Sequence, residues 1–148
     1  MIKDMITCQK DGPVLIVKLY FLEKHNSLVT ELRNQIGDMV RSVELDPSIR
    51  CVYITNEGKT FCAGGDFQML EKASDPWSVH RRFRQLNHWL IPLMNLDRPV
   101  VIGVNGAAVG GGMGLALAGD LMIMSESSKL IPGFFKIGAL PDIGIMYT

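Results

Sequence analysis

The sequence predicts an α/β fold of parallel strands joined by helical crossovers, and three observations carry that expectation. β-branched apolar runs alternate with segments of helical apolar spacing, two glycine-rich stretches each leave the end of such a run, and 148 residues at 47% hydrophobic content suffice for one buried core. In a fold of this kind a ligand is expected at the carboxyl ends of the strands.

The elements follow in order. Ile6 to Lys10 and Val14 to Tyr20 flank Asp11-Gly12-Pro13, which predicts an opening hairpin. Leu28, Leu32, Ile36, Met39, Val40 and Val43 then recur at helical spacing, with Asn26 or Ser27 available as cap and Asp46-Pro47 closing the segment. Gly37 weakens that helix. Cys51-Val52-Tyr53-Ile54-Thr55 reads as a strand buried on both faces, and it delivers the chain to the first glycine stretch, Phe61-Cys62-Ala63-Gly64-Gly65-Asp66. A short helix is expected over Phe67 to Lys72. Asp75-Pro76 caps and starts a longer one on which Val79, Phe83, Leu86 and Leu90 share a face, until Pro92 ends or kinks it. Pro99 to Val104 is the next strand. The second glycine stretch, Gly106-Ala107-Ala108-Val109-Gly110-Gly111-Gly112-Met113-Gly114, opens a helix through Ala118; Leu121 to Met124 and Lys129 to Ile131 complete the strands. Asp142 to Thr148 reads as the first turn or two of a helix cut short, so residues 1–148 are expected to be the core domain of a longer polypeptide.

Composition excludes several classes. Formal net charge is zero, and the one basic run, Arg81-Arg82-Phe83-Arg84, reads as a solvated helix face rather than a nucleic-acid footprint. Cys8, Cys51 and Cys62 are odd in number and lack CxxC spacing, which points to reduced thiols in a cytoplasmic setting. The N-terminus has no secretory pattern. Val109 to Met124 is broken by glycines and Asp120 and is too short for a membrane span, so it reads as buried interior.

The glycine stretches carry the chemistry. Neither a phosphate loop with its lysine nor a G-x-G-x-x-G fingerprint is present. Backbone N–H groups at the start of the Gly111 helix instead suit a carbonyl oxygen that gains charge, and one such donor lowers a barrier by ~3 kcal/mol. A purely structural role, close packing of helix on sheet, would be the better reading of either stretch alone; two of them at strand ends favour a site.

Phe61 to Asp66, followed by Asn105-Gly106 through Gly114 and then Asp120, resembles the crotonase superfamily, the enoyl-CoA hydratase and isomerase enzymes. The similarity runs from Glu23-Lys24-His25-Asn26-Ser27 to Gly138-Ala139-Leu140-Pro141-Asp142-Ile143-Gly144. It implies a crotonase-like spiral of ββα repeats, here lacking the C-terminal helical region, and a homotrimer or dimer of trimers. It also implies that Gly65 and Gly111 supply the oxyanion N–H groups. Lys24, His25 and Asn26, with Ala63, Gly64, Gly65, Asp66 and Phe67, would line the coenzyme A site; Val109, Gly110, Gly111, Phe134 and Ile137 would complete the substrate site. Coenzyme A would then be part of the thioester substrate, with no separate cofactor and no metal.

The family pattern is broken at two positions. Hydration of an enoyl thioester uses two glutamates in the family's hydratases, and the matching positions here are Gly114 and Phe134, neither of which transfers protons. Asp142 matches the place where isomerase branches carry an acid/base, and a double-bond shift needs only one such group. Burial beside Phe134, Phe135 and Ile137 would raise its pKa, and a positioned acid/base contributes ~10²–10⁴-fold. Asp142 equally fits a helix N-cap.

Other residues are read as structural. Cys62 is a packed thiol with no histidine in relation to it, and His25, His80 and His88 lack metal-ligand spacing. Asp66 is expected to order its loop or cap the Phe67 helix, Asp120 to fix a helix-to-strand turn, and Met69, Met113, Met122 and Met124 to lie in the core, the default, or to line an acyl pocket. The leading expectation is an acyl-CoA thioester isomerase. The alternatives are another crotonase reaction (hydration, ring-epoxide isomerisation, thioester hydrolysis) or a non-catalytic acyl-CoA binder.

Overall fold

A computed structural model describes residues 4–65, 75–138, 140–141 and 143–146, apart from the side chains of residues 79, 82, 83, 136 and 137. The helix expected over Phe67 to Lys72 and the site candidates Asp66, Phe67 and Asp142 therefore lie outside the described residues.

The hairpin forms as expected: β1 (Ile6–Asp11) pairs antiparallel with β2 (Val14–Leu19) around Gly12. The remaining pairings are parallel, and the strands fall into two sheets. β3 (Cys51–Asn56), β5 (Val100–Val104) and β7 (Leu121–Met124) extend the hairpin into a five-stranded sheet of order β1-β2-β3-β5-β7. β4 (Thr60–Cys62), β6 (Ala107–Val109) and β8 (Lys129–Ile131) make a second, three-stranded sheet of order β4-β6-β8. Strands of the two sheets thus alternate along the chain, a long one and then a short one. Neither β4 nor β6 is expected from the sequence, because three residues beside glycines carry too little alternation to read as strands. Each glycine stretch is therefore a short strand running into a turn rather than a bare loop.

Among the described residues, four helices connect and cover the strands: α1 (Thr30–Leu45), α2 (Pro76–Leu86), α3 (Leu90–Met94) and α4 (Gly111–Leu117). On α1, Leu32, Ile36, Val40 and Val43 are buried and share one core with Val17 and Leu19 of β2, Val52 and Ile54 of β3, and Ile102 of β5. The cap of α1 differs from expectation: it is Val29, with no side-chain bond, and the helix begins only at Thr30. Asn26 is used elsewhere. It is fully buried; its Oδ1 accepts from the Phe21 N–H at 2.7 Å, and its Nδ2 donates to the carbonyls of Glu57 at 3.2 Å and Thr60 at 3.0 Å.

Three further expectations are corrected. β3 is buried on one face only: Val52, Ile54 and Asn56 are inside, while Cys51, Tyr53 and Thr55 are half-exposed. The α2 helix stops at Leu86, before Pro92, which lies inside the separate α3. Pro92 is the third residue of that helix, where the backbone N–H has no intrahelical acceptor to lose, so the proline is accommodated and the break falls ahead of it. β7, expected as interior, is the edge of its sheet, and Leu121 and Ile123 are each 64% exposed. Asp75 caps α2 as expected, accepting from the Ser78 N–H at 3.0 Å, which lowers its pKa. Asp120 does fix its turn: its Oδ2 accepts from the Val100 N–H at 2.7 Å.

Two predictions follow from these contacts. Removing the Asn26 amide leaves the buried Phe21 N–H without its acceptor, at ~1–3 kcal/mol for such a group, and takes one donor from each of the Glu57 and Thr60 carbonyls, which Asn56 Nδ2 also reaches at 3.4 and 3.2 Å. Asn26→Ala is expected to lower the urea-unfolding free energy by roughly 2 kcal/mol; a loss within about 0.5 kcal/mol, the scatter of a surface substitution, would show the clamp to be dispensable. Asp46, at the end of α1, accepts from the Ser48 hydroxyl, from the Ser48 N–H at 2.9 Å and from Lys10 Nζ at 3.1 Å, and these bonds hold its pKa at about 2 against an ordinary 3.8. A depressed carboxylate stabilises fully above its unfolded value and loses that contribution as pH falls through the folded one. The stability gap between the protein and its Asp46→Asn variant should therefore close between about pH 4 and pH 2, measured as urea midpoints across that range.

Candidate active site

The two glycine stretches meet. Gly64 sits at φ +85°, and a Cβ there would strike the Val109 carbonyl and lie 3.2 Å from the Gly111 nitrogen. Glycine is required here twice over, by the left-handed backbone and by the neighbouring main chain. One residue into α4, Gly112 lies against the Cys62 carbonyl in the same way. The turn that follows β4 and the first turn of α4 are thus packed backbone to backbone.

The segment ahead of α1 completes one side. The Ala63 N–H donates to the His25 carbonyl at 3.0 Å, and the Leu28 N–H donates to the Gly64 carbonyl at 2.8 Å. Phe21, Glu57 and Thr60, all held by Asn26, fix the ends of this segment, so Asn26 serves the site by shaping it. His25 and Asn26 are consecutive left-handed residues, with φ of 51° and 55°. His25 and Lys24 are exposed.

On the other side, the Gly110 N–H donates to the Ile131 carbonyl at 2.8 Å, and Phe134, buried in the 3-10 turn Gly133–Ile137, brings its Cζ to 3.9 Å from where a Cβ on Gly110 would stand. Val109 is half-buried against Gly133. Ile137 ends that same turn. Among the described residues, neither the Gly65 N–H nor the Gly111 N–H donates to a partner. Two free donors on touching loops are what a developing oxyanion needs. Of the candidates, Ala63, Gly64, Val109, Gly110 and Phe134 lie beside Gly65 and Gly111, in sequence or in contact.

Sequence reasoning missed two residues. Ile143 brings its Cδ1 to 2.5 Å from the Cβ position of Gly111, and Leu28 brings its own to 3.3 Å. Leu28 reads from sequence as the first residue of a helical stripe, and Ile143 as the start of a helix. The structure instead gives Ile143 φ +51° and Gly144 φ +76°, two consecutive left-handed residues that form a turn. That turn is also why Gly114 carries no side chain: a Cβ there would collide with the Ile143 carbonyl.

Cys62 is buried beside the site with its Sγ accepting from the Gly64 N–H at 3.5 Å, and burial pushes its thiol up to about 12. It is a protonated packing group at neutral pH. Among the described residues no group of three His, Cys, Asp or Glu side chains could hold a metal, and no helix is long and apolar enough to cross a membrane.

Comparison with known proteins places this geometry. The family model for enoyl-CoA hydratase/isomerase matches residues 9–148. The 1,2-epoxyphenylacetyl-CoA isomerase of Escherichia coli K12 is 36% identical over 95% of this chain and 55% of its own length, and a 4-chlorobenzoyl coenzyme A dehalogenase of an Arthrobacter species is 31% identical over 93% and 51%. Among solved structures, an enoyl-CoA hydratase from Polaromonas sp. JS666 superposes with a TM-score of 0.88 at 32% identity, over 94% of this chain and 55% of that one. The chain spans about half the length of the curated relatives it matches.

The site makes a prediction about its own construction. Gly138, at φ +67° with no described residue near its Cβ position, has only the conformational demand among the described residues, whereas Gly64 has the steric one as well. Gly138→Ala should cost about 1–2 kcal/mol, and Gly64→Ala should cost roughly 3 kcal/mol or more. Equal losses in urea denaturation would mean that the two stretches do not press on each other.

Proposed function

The chain belongs to the enoyl-CoA hydratase/isomerase family, and we propose that within it the protein shifts the double bond of an enoyl-CoA thioester, using one carboxylate and two backbone donors. The observation that carries this reading is the filling of the Gly114 position by the Ile143 carbonyl. Water addition requires a second acid/base and room for the water between the two groups. At Gly114 there is neither, and Phe134 offers no proton.

The mechanism is a proton transfer within one substrate. A 3-enoyl thioester places its carbonyl oxygen between the Gly65 and Gly111 N–H groups. The Asp142 carboxylate takes a proton from C2, the electrons delocalise over C2 to C4 as a dienolate held by the two donors, and the carboxyl returns the proton to C4. The C3–C4 double bond becomes C2–C3, and nothing else is consumed. Asp142 lies outside the described residues; what supports it is the packing of its sequence neighbour Ile143 on Gly111 and Gly114. Coenzyme A enters as part of the substrate, along the rim of Lys24 and His25.

A second reading, isomerisation of a ring epoxide, is favoured by the 36% identity to 1,2-epoxyphenylacetyl-CoA isomerase. It uses the same two donors on a different acyl group.

The test is turnover of 3-enoyl-CoA together with solvent deuterium uptake at C2. Asp142→Asn should lower both by at least ~10²-fold. Gly114→Glu should give no hydration of crotonyl-CoA, since its side chain has no space beside Ile143. Undiminished exchange in Asp142→Asn would remove the aspartate from the mechanism. Thioester binding without any exchange would mark a binder instead of an enzyme.

A further inference from the structure

Residues 76–96 contain Arg81, Arg82 and Arg84 and no aspartate or glutamate, in a chain whose fifteen basic and fifteen acidic residues balance. The rest of the sequence therefore holds three more acidic than basic residues, so charge is divided between this segment and everything else. The fold gathers the segment's charge on one surface. On α2, Trp77, His80, Arg81 and Arg84 follow the i, i+3, i+4, i+7 spacing of a single helix face, and all four are exposed. Among the described residues neither Arg81 nor Arg84 enters an ion pair; Asp75, whose carboxylate feels the charge of Arg81, is engaged as the N-cap of the helix.

The same face carries apolar surface. Trp77 is 70% exposed, with its ring edge to face against that of His80 at 5.6 Å between centroids. His80, Arg84 and Asn87 border the same opening as Ile91 of α3, which is itself exposed, so the basic face continues into a second apolar residue. Large rings and branched aliphatic groups held in water gain by leaving it.

We propose that this face of α2 docks on the surface of an anionic lipid bilayer, with Arg81 and Arg84 at the headgroup phosphates and Trp77 and Ile91 entering the interfacial layer. The protein then lies on the membrane and does not span it. The cations are strung along successive turns of an exposed helix, an arrangement that suits many phosphates in one plane. Tryptophan beside arginine matches the headgroup level, where the indole meets an apolar medium and the guanidinium groups meet anions; an acidic peptide would satisfy only the arginines. The excess negative charge of the remaining chain is repelled by an anionic plane, so the protein meets it in one orientation. This docking is independent of the chemistry at Gly65 and Gly111.

Vesicle flotation with tryptophan fluorescence tests it. In ~0.1 M salt the full chain should float with vesicles of equal parts phosphatidylglycerol and phosphatidylcholine, and its emission should shift to the blue. Trp77→Ala should abolish the shift, because Trp89 is 1% exposed and already buried. Binding should fall by roughly tenfold or more at ~1 M salt, where charges are screened within ~3 Å, and by as much in the double variant Arg81→Glu/Arg84→Glu. Arg50→Glu/Lys59→Glu, which reverses two exposed charges elsewhere, should lose less than about threefold. The salt and lipid comparisons use the unsubstituted protein, so they hold whether or not a variant folds. Absence of flotation, equal binding to vesicles of phosphatidylcholine alone, or equal losses in the two double variants overturns the proposal. A blue shift as large with soluble polyglutamate as with vesicles assigns the face to an acidic polypeptide and overturns it equally.

Discussion

The approach of one backbone to another, where the turn after β4 meets the first turn of α4, is the contact from which the rest of the architecture takes its shape. Gly64 lies on the Val109 carbonyl and Gly112 on the Cys62 carbonyl, with no side chain between. Three strands of three residues would be marginal alone, and the small sheet persists because this contact locks β4 and β6 to the helix that follows. The same contact sorts the backbone donors. Gly64 and Gly110 spend their N–H groups on Cys62 and Ile131, while Gly65 and Gly111, one step further along each stretch, have theirs free of described partners. Packing and site are therefore one geometry.

The buried amide of Asn26 extends this constraint to the first half of the chain. It joins the end of β2, the turn before β4 and β4 itself through three hydrogen bonds, and it holds the left-handed pair that presents the His25 carbonyl to Ala63. Exposed ion pairs cannot do this. Lys18 and Glu57 meet at 2.9 Å in the same region, but both are exposed and such pairs are worth about 0–1 kcal/mol, whereas an orphaned buried amide costs several times that. The segment that leads into α1 is thus fixed by polar satisfaction inside the protein.

Elements with strong periodicity were legible in the sequence: the hairpin around Gly12, the α1 stripe from Leu32 to Val43, and the β-branched runs at β3 and β5. So was the presence of two glycine stretches at strand ends, which the structure brings together where Gly64 meets Val109 and Gly111, while Gly65 and Gly111 as donors came from the family resemblance. Residues whose role depends on distant partners were not. Asn26 has the composition of a cap, and nothing local reveals that its acceptors lie thirty residues away. Leu28 fits a helical register although it precedes the helix and covers Gly111. β4 and β6 were hidden because three-residue strands draw their stability from neighbours rather than from their own pattern.

Gly114 shows how a single substitution of side chain by backbone narrows the chemistry. In a site with two acid/base groups, the space between them must hold water and must let both reach it. Here the volume beside the α4 helix is taken by the Ile143 carbonyl, which accepts hydrogen bonds but cannot exchange a proton, and Ile143 itself presses its side chain on Gly111. The surroundings of the candidate oxyanion donors are consequently apolar, with Leu28, Ile143 and Phe134 close at hand. Low polarity strengthens a hydrogen bond to developing negative charge. Under the proposed isomerisation, with no second acid/base and no room for water at Gly114, the abstracted proton returns to the substrate's own carbon.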